Sequence, residues 1–295
     1  MELTASPVII GVDGGGTGCR AAIGTVADGM IARAQGGRAN LTSDPVTTFE
    51  NIIATVALAA KNAGISTSAL KNAVAHIGVA GVVTAQDIQR MRLGMPYKTT
   101  TVTDDRPTAL IGALGGQYGH LLSVGTGTIA AVNAAHGMAF VGSWGFQVSD
   151  HGSGAWLGRA ALEQVLLCHD RMAQHTDLTR DIFATFNNDP RAIVSLCATA
   201  KPGDYAALAP VIVAQAKTGD LWGQRIMHAG AQHLTNMLGA LDFRVGQPLC
   251  LTGGIGPHYA PYLPARYLDG YQDARGSALD GAFELAILQH TAQTK

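Results

Sequence analysis

The sequence contains few cysteines, few charged residues and few aromatic residues. Its 295 residues include four cysteines, and charged and aromatic residues make up 14% and 6% of the chain. The cysteines are widely separated, and none forms the C-x-x-C pair or the paired spacing that zinc sites and disulfide frameworks use. We therefore expect a soluble protein of a reducing compartment, the cytoplasm, without structural zinc or disulfides.

Long apolar runs and blocks of one charge are also missing. The formal net charge is −1, and no basic run offers the field that nucleic acids or anionic membranes attract. No apolar run has the length of a membrane span, and the first residues lack the basic and apolar regions of a signal peptide. The sequence predicts that neither a nucleic acid nor a membrane is a partner.

Apolar residues and glycines are abundant instead. Hydrophobic residues make up 47% of the chain, and many of its 37 glycines stand in twos and threes between apolar runs. This length and composition supply enough apolar material for two cores, and the glycines indicate tight turns beside strands. Gly115 and Gly116 mark a candidate boundary, so we expect one domain over residues 1–116 and a second over residues 117–295.

A glycine-rich turn near the start of the chain is the first candidate ligand site. An apolar, β-branched run over residues 8–12 ends at Asp13, and a second apolar run covers residues 21–26. Between them stand Gly14, Gly15, Gly16 and Thr17. The turn lacks the Gly-Lys-Ser/Thr ending of a Walker A loop. A strand pattern follows it where a Rossmann fingerprint would have a helix.

The composition of this turn suits a phosphate and a metal ion. Glycines adopt φ values that side chains forbid, so we expect the N–H groups of the turn to converge on an anion. Asp13, at the end of the strand, would then lie close enough to that anion to hold a hydrated Mg²⁺. A glycine-rich hairpin without a ligand is the alternative interpretation.

A second stretch repeats the plan at the start of the other half. Residues 120–132 show an apolar run, a glycine-rich turn and another apolar run. The turn consists of Gly125, Thr126, Gly127 and Thr128. Two such hairpins predict a duplicated architecture in which both turns hold one polyphosphate. A later apolar run ends in Gly253 and Gly254, where flat backbone could approach a nucleoside; an ordinary strand-to-helix turn is the alternative.

Asp104 stands where α/β proteins often place ligand chemistry. The β-branched run 99–103 predicts a strand, and Asp104, Asp105, Arg106 and Pro107 follow it at the start of a predicted helix. Asp104 would be a general base or a metal anchor. Alternatively, both aspartates cap the helix. Asp105 is nearer the proline and is the better predicted cap, which leaves Asp104 for chemistry.

Asp150 is the third candidate carboxylate. It lies in a glycine-rich turn with Ser149, His151 and Ser153, just before a helix predicted over residues 155–169. Asp150 could bind two hydroxyls of a polyol, or either Asp150 or Ser153 could simply cap the helix. His151 has no histidine or cysteine at metal-ligand spacing, so we interpret it as a loop histidine.

Helical periodicity accounts for much of the remaining chain. The pattern predicts helices over residues 45–64, 84–92, 176–187, 190–199, 206–217, 220–241 and 277–292. Residues 74–79 have the composition of a buried strand. We expect the block between about 170 and 242 to form a helical insertion in the second domain.

The order of these motifs resembles a known family. The chain carries D-G-G-G-T, a strand-end Asp, G-T-G-T, a D-H-G-S-G turn and T-G-G-I-G. This set resembles the actin-like ATPase superfamily and, within it, the BadF/BadG/BcrA/BcrD-type ATPases with their N-acetylglucosamine and glucosamine kinases. The likeness covers essentially the whole chain. The resemblance is strongest to bacterial glucosamine kinases, which have similar sequences around Asn40, around residues 149–154 and from His169 to Asp204.

The resemblance implies both a fold and an activity. The fold is α/β, with two ribonuclease-H-like (actin-like ATPase) domains, a cleft between them and the terminal helix packed back on the first. The implied enzyme is a homodimeric, Mg²⁺-dependent kinase. It transfers the γ-phosphoryl group of ATP to the 6-hydroxyl of an amino sugar, N-acetylglucosamine or glucosamine.

The resemblance also implies roles for single residues. Both glycine turns would bind the phosphates of ATP, Asp13 would stand near Mg²⁺, and the T-G-G-I-G glycines would contact adenosine. Asp104 would accept the proton of the sugar hydroxyl, and Asn40 and Asp150 would bind other hydroxyls. The family usually has a small residue after the base, where this chain has Asp105; a second carboxylate there could raise the pKa of the first.

Several alternatives stay open at this point. An ATP-driven activator of a radical dehydratase needs cysteines that hold an iron–sulfur cluster, and none of the four lies in a glycine-rich loop. A non-catalytic sugar sensor is disfavoured because both glycine turns and both key aspartates are present. The cysteine spacing disfavours a zinc-containing sugar kinase. The choice between glucosamine and N-acetylglucosamine depends on the pocket walls, for which Trp144, Phe146 and Gln147 are candidates.

Overall fold

The computed structural model describes residues 7–293. The chain divides into two compact units. The N-terminal unit takes the described parts of Met1–Tyr118 and Ala274–Lys295, and the C-terminal unit is Gly119–Asp273. The N-terminal unit is therefore discontinuous in sequence, and the C-terminal unit is one uninterrupted segment.

Nine strands and eleven α-helices are found among residues 7–293. The strands are β1 (Ile9–Gly14), β2 (Cys19–Thr25), β3 (Gly29–Gly36), β4 (Val74–Val79), β5 (Thr99–Thr103), β6 (Gly119–Val124), β7 (Thr128–Ala134), β8 (Gly137–Gly142) and β9 (Leu249–Thr252). The helices are α1 (Pro45–Asn62), α2 (Thr67–Leu70), α3 (Ala85–Gly94), α4 (Asp105–Leu114), α5 (Gly154–His169), α6 (Asp177–Thr185), α7 (Pro190–Thr199), α8 (Pro202–Ala206), α9 (Ala209–Lys217), α10 (Leu221–Ala240) and α11 (Ala278–Gln293).

The N-terminal unit contains a mixed five-stranded sheet. Its strand order is β3-β2-β1-β4-β5. The first three strands are antiparallel, and β1, β4 and β5 run parallel to one another. Strand β1 is buried along its whole length, as its continuous apolar run predicts. The sequence does not predict β3, because this edge strand is mostly exposed and mixes polar with apolar residues.

The terminal helix α11 packs on the N-terminal unit. Leu279, Phe283 and Ala286 share a buried cluster with Ile9 and Val74 of the sheet. Two glycines make this approach close: a Cβ at Gly11 in β1 or at Gly281 in α11 would overlap the backbone of the opposing element. Close approach of backbones is one of the few demands that only glycine meets.

The C-terminal unit repeats the first four strands of this plan. Its sheet has the order β8-β7-β6-β9, with β6 to β8 antiparallel and β9 parallel to β6. The order is that of β3-β2-β1-β4, so the duplication predicted from the two glycine-rich hairpins is present in the strand topology. The sequence does not predict β8, which like β3 is a largely exposed edge strand.

Helices α5 to α10 form the helical layer of the C-terminal unit. The helix predicted over residues 206–217 is present as α9, but it begins later than predicted, at Ala209, and Ala206 is instead the last residue of α8. Pro210 lies in the first turn of α9, where its missing backbone N–H would have no partner within the helix, so it marks the start of this helix. Between residues 7 and 293, no helix has both the length and the apolar character that a membrane crossing would require.

Candidate functional site

The carboxyl ends of three parallel strands meet at one edge of the N-terminal sheet. Asp13 lies at the end of β1, and Asp104 follows the last residue of β5. Strand β4 lies between them, and Asp13 is in register with Gly78 of β4. The sheet topology thus brings Asp13 and Asp104 to the edge where α/β folds bind ligands.

The first glycine turn presents an open backbone surface. The Gly15 N–H donates to the Gly18 carbonyl oxygen (2.9 Å), which closes the turn. Gly16 and Thr17 are exposed, and a Cβ at Gly16 would meet nothing within 4 Å. The expectation that these glycines adopt φ values forbidden to side chains is wrong, because none of the three has a positive φ. Here glycine leaves room at the surface and is not needed for an unusual backbone conformation.

Asp13 is a buried carboxylate with a cationic neighbour. Only 7% of Asp13 is exposed, and Arg20 Nη2 lies 2.7 Å from Asp13 Oδ2. The contact is an ion pair without hydrogen-bond alignment, so this buried oxygen has no hydrogen bond within the described residues. Desolvation raises the pKa of Asp13, and Arg20 partly opposes that rise. An oxygen ligand with a free lone pair at a strand end fits a hydrated Mg²⁺.

Asp104 caps α4, which corrects the sequence-based prediction of Asp105 as the cap. Asp104 Oδ1 accepts from the Arg106 backbone N–H (2.9 Å). The guanidinium of Arg106 donates to both oxygens, Nε to Oδ1 (2.8 Å) and Nη2 to Oδ2 (2.7 Å). Residue 104 has the extended backbone of an N-cap, whereas Asp105 is already helical. The carboxylate that the sequence predicts for chemistry is therefore also the cap of α4.

Asp105 is a further carboxylate whose pKa the surroundings raise. Its side chain reaches solvent, yet neighbouring protein atoms strip part of its hydration shell, and this is the largest cause of the rise. The carboxylates of Asp104 and Asp13 raise the pKa further. The electrostatic influence of Asp13 on Asp105 also shows that the strand ends of β1 and β5 bring these groups near one another.

A buried histidine supports the end of β5, and the sequence analysis missed it. His76 in β4 is 3% exposed, and its Nε2 lies 3.2 Å from Thr103 Oγ1. Thr103 Oγ1 donates to the Asp104 carbonyl oxygen (2.7 Å). Because the Thr103 hydroxyl donates its proton to that carbonyl, it can only accept from His76. His76 Nε2 must therefore carry a proton and donate to Thr103 Oγ1. Burial lowers the pKa of His76 to about 4, which keeps the ring neutral near pH 7.

Asn40 lies beside the first glycine turn. Asn40 forms an isolated parallel β-bridge with Ala80, the residue that follows β4. The Ala80 N–H in turn donates to the Gly14 carbonyl oxygen (2.9 Å). Asn40 Oδ1 accepts from the backbone N–H groups of Thr42 and Ser43, both at 3.1 Å. The structure therefore groups Asn40 with the candidate residues of the N-terminal unit, with its side-chain oxygen already engaged.

The second glycine turn is fastened to the turn that carries Asp150. The Gly125 carbonyl oxygen accepts from the Gly154 N–H (2.7 Å), and the Gly125 N–H donates to the Gly127 carbonyl oxygen (2.9 Å). Thr126 is exposed at the tip, and a Cβ at Gly125 would meet nothing within 4 Å. Like the first glycine turn, this one has no positive φ at its glycines and offers open backbone.

Asp150 combines burial with a strained backbone. It is 8% exposed and has φ +61°, a left-handed conformation that costs a non-glycine residue about 1–2 kcal/mol. Its Oδ1 accepts from the Thr128 N–H (3.3 Å), and desolvation raises its pKa. Ser153, not Asp150, caps α5 by accepting from the Trp156 N–H. The helix therefore needs no cap from Asp150, and strain of this kind often marks a functional site.

A cavity opens next to the turn after β9. Gly253 has φ +81°, and a Cβ there would overlap the Val124 carbonyl, so this position requires glycine. A space of about 270 Å³ beside Gly254 shares Val213, Lys217 and His258 with a neighbouring space of about 490 Å³. Both spaces lie within the C-terminal unit and have the size of ligand pockets.

The aromatic candidates for pocket walls separate into surface and core. Trp144 is 77% exposed, whereas Phe146 is 9% exposed and packs against Tyr205 with ring centroids 4.9 Å apart. His151 is a loop histidine, as the sequence indicates, but its ring lies 4.8 Å from that of His233 in α10. Sequence spacing could not have found this pair, because the two residues are far apart along the chain.

Three of the four cysteines are core residues. All four lie in the described part of the chain, and Cys19, Cys168 and Cys250 are buried while Cys197 is exposed. Over residues 7–293 no group of three or more histidine, cysteine, aspartate or glutamate side chains could hold a metal ion.

Comparison with known proteins identifies the family. The sequence model of the BadF/BadG/BcrA/BcrD ATPase family matches residues 10–262. The chain belongs to this family. Its two α/β units, with sheets of the same order, form the two-domain fold of actin-like ATPases that the sequence predicts.

Individual relatives match the chain over most of its length. The glucosamine kinase of Vibrio cholerae serotype O1 is 28% identical over 278 residues, 94% of this chain and 95% of that protein. The N-acetylmuramic acid/N-acetylglucosamine kinase of Clostridium acetobutylicum is 26% identical over 235 residues, 77% of this chain and 76% of that protein. A crystal structure described as an N-acetylglucosamine kinase from Chromobacterium violaceum superposes with a TM-score of 0.84 at 28% identity. The match covers 95% of this chain and 99% of the other.

Proposed function

We propose that this chain is an ATP-dependent amino-sugar kinase that phosphorylates the 6-hydroxyl of glucosamine or N-acetylglucosamine. The observation that carries the proposal is the position of Asp104, a carboxylate at the same sheet edge as Asp13 and the first glycine turn. A phosphoryl transferase needs these parts: a proton acceptor, a metal anchor and backbone donors for phosphate. Relatives named as amino-sugar kinases over nearly the full length support the substrate class.

In the N-terminal unit, Asp104 would orient the sugar hydroxyl and accept its proton. An alcohol is too weak an acid to ionise first, so the base acts as the proton leaves during transfer. Arg106 holds both oxygens of Asp104, and a bound hydroxyl would replace one of these bonds. Asn40 would donate its Nδ2 amide to another hydroxyl, because its Oδ1 is engaged by the loop.

Asp13 and the first glycine turn would serve the phosphates. Asp13 would hold Mg²⁺ through its water shell, and the ion, when bound, neutralises charge on the transferring phosphoryl group. The exposed backbone at Gly16 and Thr17 would donate to phosphate oxygens. Arg20, the present partner of the Asp13 carboxylate, would turn toward the phosphates.

In the C-terminal unit, the second glycine turn would contact the phosphates through Thr126 and Gly127. The cavity beside Gly254 would take the adenosine. Asp150, free of any capping duty, would bind two sugar hydroxyls with the carboxylate oxygens that its turn presents. The Mg²⁺ requirement and a homodimeric assembly are further parts of this proposal that follow from the family resemblance, and a cytoplasmic location follows from the cysteine pattern.

ADP release tests the proposal directly. With Mg-ATP we expect turnover that depends on glucosamine or N-acetylglucosamine and that is negligible with glucose or without sugar. Asp104→Asn keeps the shape of the side chain and removes its basicity. We expect it to lower kcat by about 10²–10⁴-fold, the usual contribution of a general base.

Asp189→Asn is the matched control, because Asp189 caps α7 through the Arg191 N–H as Asp104 caps α4. We expect this control to keep wild-type kcat. An Asp104→Asn variant that also keeps wild-type kcat would mean that Asp104 matters only as a cap, because asparagine caps a helix as well as aspartate does. ADP release that ignores every sugar would exclude the kinase and favour an ATPase activator.

A further inference from the structure

One tyrosine of the C-terminal unit reaches the turn that carries Asp150. Tyr259 lies in the 3₁₀ helix Gly256–Tyr262 and has no exposed surface. Its Oη donates to the Gly152 carbonyl oxygen over 2.6 Å. Burial raises the pKa of Tyr259, so the hydroxyl keeps its proton and remains a donor. The bond joins the segment after β9 to the turn before α5, 107 residues away in sequence.

A glycine in the middle of α10 makes room for this tyrosine. A Cβ at Gly230 would overlap Tyr259 Oη and stand 2.9 Å and 3.0 Å from ring atoms Cζ and Cε1. Glycine inside a helix costs about 1 kcal/mol relative to alanine. The close approach of Tyr259 gives a physical reason for this cost. A Cβ at Gly152 would lie 3.3 Å from the Gly230 carbonyl oxygen, so helix, tyrosine and turn meet at one point.

The turn needs such support because its backbone is unusual. Asp150 has φ +61° and Gly152 has φ +80°. Glycine adopts such a φ freely, but the left-handed conformation of Asp150 persists only when the surroundings hold it. The Gly154 N–H bond to the Gly125 carbonyl oxygen holds the C-terminal end of the turn. The Tyr259 bond holds its middle, at the second residue after Asp150.

We propose that Tyr259 and Gly230 are positioning residues for the sugar: they hold the 150–154 turn so that the Asp150 carboxylate keeps the orientation in which it binds hydroxyls. The inference rests on the proposed function, in which Asp150 contacts the sugar. Neither residue touches the substrate itself. Tyr259 acts through the Gly152 carbonyl, and Gly230 acts by leaving space for the tyrosine ring.

Tyr259→Phe removes only the hydroxyl and keeps the ring. We expect the affinity for glucosamine or N-acetylglucosamine, measured by isothermal titration, to fall about tenfold, in the range of one hydrogen bond. The KM for the sugar should rise equally, while kcat and the KM for ATP stay within about threefold. Tyr267→Phe is the control: Tyr267 lies in the same unit and stacks on Phe243, away from the turn.

A double-mutant cycle tests the contact from the helix side. Gly230→Ala should weaken sugar binding about tenfold or more by pushing Tyr259 away from Gly152. In the Tyr259→Phe background the same change should have a smaller effect, because the overlap with Oη is gone. Gly239→Ala is the matched control in the same helix, since a Cβ there meets nothing within 4 Å; sugar affinity should not change.

Each outcome decides the inference. A wild-type protein that binds no amino sugar overturns the proposed function and this inference together. If the wild type binds sugar and Tyr259→Phe matches Tyr267→Phe in affinity, the inference alone is wrong, even if Tyr259→Phe melts at a lower temperature. Should Tyr259→Phe fail to fold, Gly230→Ala answers the same question, because unchanged sugar affinity in that variant also contradicts the positioning role.

Discussion

Two arginines face two of the three carboxylates at the edge of the N-terminal sheet. Arg20 pairs with Asp13, and Arg106 pairs with Asp104. Desolvation raises the pKa of Asp105, and the charges of both other carboxylates raise it further. The arginines offset the mutual repulsion of the cluster, so the carboxylates can stand close together before a cation or a sugar hydroxyl arrives.

His76 predicts a measurable pH dependence of stability. The pKa of this buried imidazole is about 4 in the folded chain, against 6.5 for a histidine side chain in water. A lowered pKa contributes stability above 6.5, and this contribution is lost as the pH falls from 6.5 to about 4. The difference corresponds to about 3 kcal/mol. We expect His76→Gln to lack this part of the pH dependence when the free energy of unfolding is measured from neutral to mildly acidic pH.

The matched control for this prediction is His136→Gln, because His136 is exposed. It should show the same pH dependence as the wild type. An NMR titration gives a direct check, since the His76 ring should stay neutral down to about pH 4. A ring that titrates near 6.5, the ordinary value, would contradict the burial argument.

At the scale of elements, the helix starts follow local rules. Asp44 caps α1 with Pro45 in the first turn, and Thr84 and Asp87 form a capping box at α3. The contact between α11 and α4 depends instead on small residues. Gly281 of α11 lies against the backbone of two α4 residues, a threonine and a glycine.

Gly281→Ala should therefore destabilise the N-terminal unit. The added methyl would overlap the Thr108 carbonyl oxygen and the Gly112 N–H, and neither helix backbone can yield without moving as a whole. Overpacking of this kind costs about 1–3 kcal/mol. We expect a Tm lower by several degrees in thermal unfolding. The control Gly239→Ala should raise stability by up to about 1 kcal/mol, and a neutral Gly281→Ala would show that the helices separate easily.

At the scale of the whole molecule, the two units differ in how the chain builds them. The C-terminal unit is continuous, whereas the N-terminal unit needs α11 from the far end of the sequence. We expect residues 119–273 to fold alone and residues 1–118 to fail, because Ile9, Ala22 and Val74 would lose the cover of Phe283. Circular dichroism and limited proteolysis on the separate segments would measure this.

The control joins residues 1–118 to residues 274–295 through a short linker. This chain should regain a cooperative thermal transition, because the apolar face of the sheet is covered again. A cooperative transition of residues 1–118 without α11 would contradict the prediction and would show that this segment folds without the terminal helix.

Local patterns were enough for the buried strands, most helices and the grouping of candidate residues. Strands β1, β4 and β6 are mostly apolar and buried, and the carboxylate or glycines next to the ends of β1 and β6 were the signals that marked candidate residues. Edge strands β3 and β8 carry no such signal, since one side of each faces solvent. Pro210 was visible in the sequence and, correctly interpreted as a first-turn proline, would have placed the start of the predicted helix at about residue 209.

The sequence by itself determined the family, the duplicated hairpins and the residue types of the site, because glycine spacing, strand periodicity and helix caps act over a few residues. Only the tertiary structure decided that Asp104 is a cap held by Arg106, that Asp150 has a left-handed backbone, and that Tyr259 reaches Gly152. Such contacts depend on which distant segments meet and on how much solvent they exclude. A one-dimensional pattern does not encode those distances.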